Sequence, residues 1–125
     1  MLILDAGAFI ALERDERSMW RRLKSALIAG SPPITHGGVV GQIWRGGTGR
    51  QTQLTRTLQA LDTASLDLQL GQQAGVLLAS AGASDAIDAA LVALARSGDR
   101  IVTSDPGDIN ELVAAAGLLV DVVAV

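Results

Sequence analysis

Short apolar runs alternate along the chain with longer stretches in which apolar residues recur at helical spacing. Residues 1–4 are apolar and end at Asp5, and small residues then lead into another apolar pattern, so a buried strand is predicted to turn into a helix. Within residues 15–29, Trp20, Leu23 and Leu27 recur at the spacing of one helix face. Further strands are predicted at 34–35, 64–67, 101–103 and 118–125, and further helices over 39–45, 50–61, 68–81, 85–96 and 106–116.

Glycine and proline separate these elements. Gly30, followed by two prolines, ends the first long helix, and Gly82 ends the helix before Ser84, which is predicted to cap the next one. Strands that alternate with helices predict an α/β fold, a parallel sheet covered on both faces. No repeat, linker or low-complexity stretch interrupts the pattern, so residues 1–125 are predicted to form a single domain.

The composition excludes several classes of function. Only Phe9, Trp20 and Trp44 are aromatic, which is too few for a stacking platform for single-stranded nucleic acid. With no cysteine and with His36 as the one histidine, a thiolate zinc site, a histidine-rich metal site and thiol catalysis are excluded. Asp5 splits the apolar start and no apolar run is long enough to span a bilayer, so we expect a cytoplasmic protein with no membrane partner.

Charge is distributed unevenly along the sequence. Residues 1–62 carry eight Lys and Arg against five acids, whereas residues 63–125 carry two Arg against eight acids. An acidic site beside a basic rim suits a metal-dependent enzyme that acts on a polyanion, because the metal needs carboxylates and a phosphate backbone needs cations. An ordinary charged surface would give the same totals. The positions of the acids must therefore distinguish a metal site from surface charge.

Three acids are predicted to converge at one edge of the sheet. Asp5 ends the first strand, Asp105 follows the strand at 101–103, and Asp88 lies in the first turns of the helix from residue 85. Ligands of open parallel sheets bind beyond the carboxyl ends of the strands. Carboxylates packed together need a cation, and an all-oxygen site favours Mg²⁺ or Mn²⁺.

Helix capping is the alternative explanation for most of these acids. Asp5 and Asp105 both stand where an N-cap is expected, the latter before a proline, and Asp85 and Asp108 fit the acidic first turn of a helix. Asp88 lies past the strongest capping positions on an Ala-rich apolar helix, where a buried acid needs a partner. The conjunction of the acids therefore carries the metal hypothesis.

Three sequence blocks, in order, resemble those of a known family. LILDAGAFIAL at the start, DAIDAALVALA from Asp85 and IVTSDPGDI from Ile101 resemble the PIN-domain ribonucleases, and among them the VapC-type toxins of type II toxin-antitoxin pairs; VVGQIWRGG is also similar to a block of these toxins. The resemblance runs the whole length of the chain. It implies a three-layer α/β/α PIN-like domain with a central parallel sheet and a Mg²⁺- or Mn²⁺-dependent endoribonuclease site.

The resemblance assigns roles to individual residues. It makes Asp5, Asp88 and Asp105 the metal ligands and catalytic acids, with Asp85 and Asp108 accessory to them. Gln42 stands where the family usually has a catalytic glutamate, and a neutral amide cannot offset the charge of a cation. The other candidates are Thr103 and Ser104, which can hydrogen-bond a carboxylate or a phosphate oxygen, and Arg45 and Arg50, which are placed to bind the RNA backbone.

Partners also follow from the resemblance. We expect a cognate small antitoxin protein laid along the helices after the second strand, an RNA substrate and a homodimer. Ile43 and Trp44 are adjacent and are expected to contribute to an apolar surface patch for such a partner. The rival hypothesis is a degenerate PIN-like domain that binds RNA or a partner protein without cleavage, and Gln42 is the reason for keeping it.

Overall fold

The computed structural model describes the backbone of all 125 residues and every side chain except that of Arg50. It contains five strands and seven α-helices. The strands are β1 (Leu2–Leu4), β2 (Ile34–His36), β3 (Asp62–Ala64), β4 (Arg100–Thr103) and β5 (Asp121–Ala124). The helices are α1 (Ala6–Glu13), α2 (Arg17–Ile28), α3 (Gly37–Ile43), α4 (Thr52–Ala60), α5 (Leu68–Ala81), α6 (Ala86–Ala93) and α7 (Pro106–Ala116), and a 3-10 turn at Gly49–Gln51 precedes α4.

The five strands form one parallel sheet in the order β3-β2-β1-β4-β5, which confirms the predicted α/β class. β1 is central, with Ile3 paired to Ile34 on one side and to Ile101 on the other. The chain moves from β1 to β2 and β3 and then returns to the other side of β1 at β4. The strand order therefore reverses between β1 and β4, where open parallel sheets bind their ligands.

Helices cover both faces of the sheet. α1 packs on α2, α3 and α4, whereas α5, α6 and α7 pack on one another. Because crossovers between parallel strands are right-handed, the reversal at β1 and β4 puts these two groups on opposite faces. The core between the layers is formed by fully buried side chains such as Phe9, Leu91 and Ile101, each worth about 1.5–3 kcal/mol of transfer free energy.

Several predicted element boundaries are wrong. β3 occupies Asp62–Ala64 rather than 64–67, and Asp67 is not in a strand because its side chain accepts from the N–H of Leu70 and caps α5. Asp85 rather than Ser84 caps α6, since its Oδ1 accepts two N–H groups of the first turn. Short polar side chains compete for such capping positions, and hydrophobic spacing does not rank them.

Two further elements, α6 and β5, are shorter than predicted. α6 ends at Ala93 rather than at residue 96, because the chain tightens there and the N–H of Ala95 donates to Val92 O at 3.0 Å. β5 is confined to Asp121–Ala124, where it pairs with β4.

Among the described residues, no single helix is both long enough and apolar enough to cross a membrane. α5 and α6 meet this criterion of length and composition only when they are taken together, and the chain bends by 107° between them.

Candidate metal centre

Three carboxyl groups meet at the carboxyl ends of the central strands. One oxygen each from Asp88, Asp105 and Asp108 lies within 4.8 Å of the others, and we call these residues the acidic cluster. Asp88 comes from the first turn of α6, Asp105 from the N-cap of α7, two residues after β4, and Asp108 from the first turn of α7. Asp88 is buried, with 8 % of its surface exposed, whereas the other two are exposed. The cluster is therefore open to solvent on one side.

Asp5 lies beside the acidic cluster without being part of it. Its Oδ1 accepts from the N–H of Ala6 at 2.7 Å, and its Oδ2 accepts from the hydroxyl of Thr103 at 2.6 Å. The charge of Asp5 nevertheless raises the pKa of Asp88, so the two carboxyl groups are close enough to interact. Of the predicted ligands, the structure groups Asp88 and Asp105 together with Asp108, and the role of Asp5 as a ligand stays a prediction.

The buried acid of the cluster has a strongly displaced titration. Burial, as the largest cause, and the charges of the neighbouring acids together raise the pKa of Asp88 to about 7. Those acids are Asp5, Asp85, Asp105 and Asp108, in decreasing order of effect. The ionised form of Asp88 is therefore disfavoured at this site, and a cation at the cluster would offset the repulsion from the neighbouring charges.

Asp105 and Asp108 are partners within the cluster. A hydrogen bond to Asp105, with the repulsion of its charge, raises the pKa of Asp108. Asp105 stands at the N-cap of α7, but among the described residues its side chain makes no capping hydrogen bond to the helix. The capping explanation thus fails for Asp105, whose carboxyl group is left to face Asp108.

Helix capping does explain Asp85. Its Oδ1 accepts from the N–H groups of Ile87 at 3.0 Å and of Asp88 at 3.1 Å. The same bonds fix the backbone of the turn that carries Asp88. Asp85 therefore acts on the acidic cluster through the helix, in addition to the repulsion of its charge.

The end of β4 is joined closely to the start of α1. Thr103 Oγ1 accepts from the N–H of Asp105 at 3.0 Å, so Thr103 connects Asp5 with the cluster. Ser104 is exposed and lies against Gly7, where an added Cβ would stand 2.6 Å from the Ser104 Cβ and 2.8 Å from its backbone nitrogen. Sequence reasoning missed Gly7, although a glycine two residues after a candidate ligand is a signal for close backbone approach.

His36 is a second residue that sequence reasoning missed. It is fully buried at the end of β2, its Nδ1 accepts from the N–H of Gly38 at 3.0 Å, and its Nε2 bonds to Ile87 O at 2.9 Å. Burial lowers its pKa, against smaller opposite effects of the Ile87 bond and of the Asp5 charge. With both ring nitrogens occupied, His36 is not a metal ligand here.

The remaining candidates lie on or after α3. Gln42 is an exposed residue of this helix, and its catalytic role stays a prediction. The guanidinium of Arg45 folds back on the helix end, where Nη1 donates to Trp44 O at 2.6 Å. The side chain of Arg50 lies outside the described residues. The predicted patch is wrong in one respect: Ile43 is 7 % exposed and belongs to the core, because it faces inward next to the 37 % exposed Trp44.

Comparison with known proteins shows the fold. No family model matches the chain, and no curated protein sequence matches it. A chain from the crystal structure of VapBC2 from Rickettsia felis, bound to a DNA fragment from the VapBC2 promoter, is similar in fold, with a TM-score of 0.71. The similarity covers 97 % of each of the two chains, at 12 % sequence identity. This likeness, together with the all-parallel sheet between two helix layers, confirms the expected three-layer α/β/α PIN-like fold.

Proposed function

We propose that residues 1–125 form a single PIN domain that hydrolyses RNA phosphodiester bonds with Mg²⁺ or Mn²⁺, as the toxin of a type II toxin-antitoxin pair. The observation that carries the proposal is the acidic cluster at the switch point of the sheet: three carboxyl groups, one from α6 and two from the start of α7, have oxygens within 4.8 Å of one another. Like charges held this close oppose folding unless a cation or protons offset them. A site that keeps them together is suited to bind a divalent cation.

The donor set fits a hard cation. The cluster offers carboxylate oxygens, which suit Mg²⁺ and Mn²⁺, and the protein has no cysteine. Asp88 and Asp105 would hold the cation with Asp108 at the exposed side, and Asp5 would complete the set with the lone pairs that its two hydrogen bonds leave free. A bound Mg²⁺ or Mn²⁺ would polarise the scissile phosphate and activate water for in-line attack.

The protein's own side chains supply orientation and phosphate contacts. Thr103 fixes the carboxyl group of Asp5, and Asp85 fixes the turn that carries Asp88. Ser104 is exposed next to the cluster and can donate to a phosphate oxygen. Arg45 and Arg50 follow α3, and we assign them to the RNA backbone, whose phosphates need cations more than they need sequence-specific donors.

Cleavage of structured RNA by purified protein, free of any partner, tests the proposal. We expect cleavage with Mg²⁺ or Mn²⁺ and none with EDTA. Asp88→Asn and Asp5→Asn should each reduce the rate at least a hundredfold, since each removes a charge that stabilises the cation. Asp62→Asn is the matched control, because this exposed acid lies at the amino end of β3, away from the cluster. Absence of metal-dependent cleavage by the unaltered protein would refute the nuclease assignment.

A second candidate function is binding of RNA or a partner protein without cleavage. The observation that favours it is Gln42, an exposed neutral amide where a cutting enzyme of this kind would carry a carboxylate. Gln42→Glu separates the two. If the unaltered protein is inactive and this variant cleaves RNA, the binding function is correct; if both cleave, the nuclease assignment stands.

The proposal includes a cognate antitoxin, a homodimer and a cytoplasmic location, where RNA would be met. The similar protein from Rickettsia felis is a VapBC2 complex, which supports a protein partner. An apolar cleft of about 310 Å³ between α2 and α4, which includes Trp20, Leu23 and Leu27, is a candidate place for it. Copurification of a small protein encoded beside this one, in a stable complex that suppresses cleavage, is the expected result.

A further inference from the structure

The one histidine of the sequence joins the end of β2 to the first turn of α6, the turn that carries Asp88. His36 is fully buried at the junction of β2 and α3. A backbone N–H can only donate, so the bond from Gly38 leaves Nδ1 without a hydrogen and assigns the hydrogen to Nε2. Nε2 therefore donates to Ile87 O, 51 residues further along the chain. This neutral ring links the first turn of α3 to the first turn of α6.

The turn of α6 that His36 contacts carries Asp88, a member of the acidic cluster. Ile87 directly precedes Asp88, the buried acid on which the charges of four other acids act. Its carboxyl group has an oxygen within 4.8 Å of oxygens of Asp105 and Asp108, so the position of this turn sets the geometry of the acidic cluster. The cap by Asp85 fixes the turn only to itself, because both residues belong to the same segment. The bond from His36 fixes it to the sheet.

The His36 ring packs closely against the backbone of Gly38. An added Cβ on Gly38 would lie 2.8 Å from the His36 Cε1 and 3.0 Å from its Nδ1, so the glycine makes the room that the ring occupies. At Gly37 the nearest atom to an added Cβ is the Leu66 nitrogen at 3.9 Å, an ordinary contact. The backbone of neither glycine is left-handed, so alanine at both positions changes space rather than conformation.

We infer that His36 is a positioning residue, a tether from the sheet to the first turn of α6 that holds Asp88 in place beside Asp105 and Asp108. The use of the tether in metal binding rests on the proposed function; the tether itself does not. The inference therefore has two readouts, the exchange of α6 amide hydrogens in the metal-free protein and the affinity for Mn²⁺.

Two substitutions separate the two bonds of the ring. In His36→Asn the short amide keeps an oxygen near the position of Nδ1, and asparagine is a good N-cap, but nothing reaches Ile87. In His36→Gln the longer amide reaches toward Ile87 O and the cap is lost. For the asparagine variant we expect α6 amides to exchange about tenfold faster and Mn²⁺ to bind about tenfold more weakly. The glutamine variant should keep both within about threefold, with a lower melting temperature from the lost cap.

Gly38→Ala tests the same point without removing the histidine. Its Cβ displaces the ring, so we expect the faster exchange and weaker Mn²⁺ binding of the asparagine variant. Gly37→Ala, one residue earlier on the same helix, is the matched control and should behave as the unaltered protein.

The outcomes distinguish the inference from the proposed function. Unchanged exchange in α6 for both His36→Asn and Gly38→Ala overturns the tether. Equal loss of Mn²⁺ affinity in the asparagine and glutamine variants, both folded by circular dichroism, also overturns it, since a general packing role would act on both alike. If the unaltered protein binds no Mn²⁺, the proposed function fails while the exchange result still decides the tether.

Discussion

The hydroxyl of Thr103 donates to Asp5 Oδ2 over 2.6 Å, and the two residues stand 98 positions apart in the sequence. They are brought together by the parallel pairing of β1 with β4, in which Leu4 pairs with Val102, the residues just before Asp5 and Thr103. The same hydroxyl oxygen accepts the N–H of Asp105. The side chain of Thr103 thus contacts two candidate ligands, and a substitution at this residue tests whether it positions them.

Thr103→Val should destabilise the protein and weaken the site together. Valine has nearly the same shape, so the packing is kept while buried Asp5 loses a donor and the N–H of Asp105 loses its acceptor. We expect the free energy of unfolding in urea to fall by about 1–3 kcal/mol and the affinity for Mn²⁺ to fall as well. Thr103→Ser keeps the hydroxyl and is the control. A valine variant with the affinity of the unaltered protein would show that Thr103 does not orient Asp5.

Gly7→Ala should separate α1 from the end of β4. The new Cβ would meet backbone and side-chain atoms of Ser104 well inside contact distance, and that segment leads directly to Asp105. We expect a loss of about 1–3 kcal/mol in the free energy of unfolding, from the strain of overpacking. At Gly71, on α5, no heavy atom of the described residues lies within 4 Å of an added Cβ, apart from local helix atoms. Gly71→Ala should therefore stabilise by about 0.5–1 kcal/mol. Equal effects at the two positions would contradict the close approach.

Asp88 should make the metal-free protein less stable as the pH rises. The folded protein keeps the proton on Asp88 up to a pKa of about 7, whereas the unfolded chain releases it near 3.8, so folding is penalised progressively between these values and fully above pH 7. After allowance for solvent screening at the open side, we expect Asp88→Asn to gain about 1–2 kcal/mol over the unaltered protein above pH 7 and almost nothing below pH 4.

Urea unfolding at a series of pH values measures this difference. His36 acts in the opposite sense, because its lowered pKa costs stability as the pH falls below 6.5, and the comparison with Asp88→Asn cancels that contribution. Mn²⁺ should restore stability to the unaltered protein more at high pH, since it binds the folded, ionised cluster. A pH-independent difference between the two proteins would contradict the raised pKa of Asp88.

Arg45→Ala should reduce the salt dependence of RNA binding. The guanidinium is exposed, although it donates to carbonyl oxygens at the end of α3. If it contacts one phosphate, the slope of log affinity against log salt should decrease in magnitude by about 0.7–0.9. Binding is measured with EDTA to prevent cleavage. Arg96→Ala, an exposed arginine after α6 and before β4, is the control, and an equal change there would assign the effect to net charge.

The position of the acids at one edge of the sheet was predictable. Asp5 and Asp105 each follow an apolar run, and parallel strands bring their carboxyl ends together. The role of Asp108 in the cluster also had a signal, because residues three apart on a helix share a face and Asp105 begins α7. The position of Asp5 at the end of the first strand nevertheless predicts Asp5, rather than Asp108, as the third ligand.

The contacts of Thr103 and His36 were not predictable. The bond to Asp5 depends on the register of β1 against β4, and a slip of one residue would turn Thr103 to the other face of the sheet. The bond of His36 depends on how α6 returns across the sheet to β2, a tertiary relation that no local pattern of hydrophobic residues contains.

The place of β1 in the sheet has a consequence for synthesis on the ribosome. β1 is made before the other four strands, yet one of its two neighbours, β4, follows it by about a hundred residues. Until then a nascent polypeptide exposes one edge of β1 and lacks the register on which Asp5 and Thr103 depend. Long-range pairing of this kind folds late. A chain translated only as far as α6 therefore lacks Asp105 and Asp108 and cannot assemble the acidic cluster.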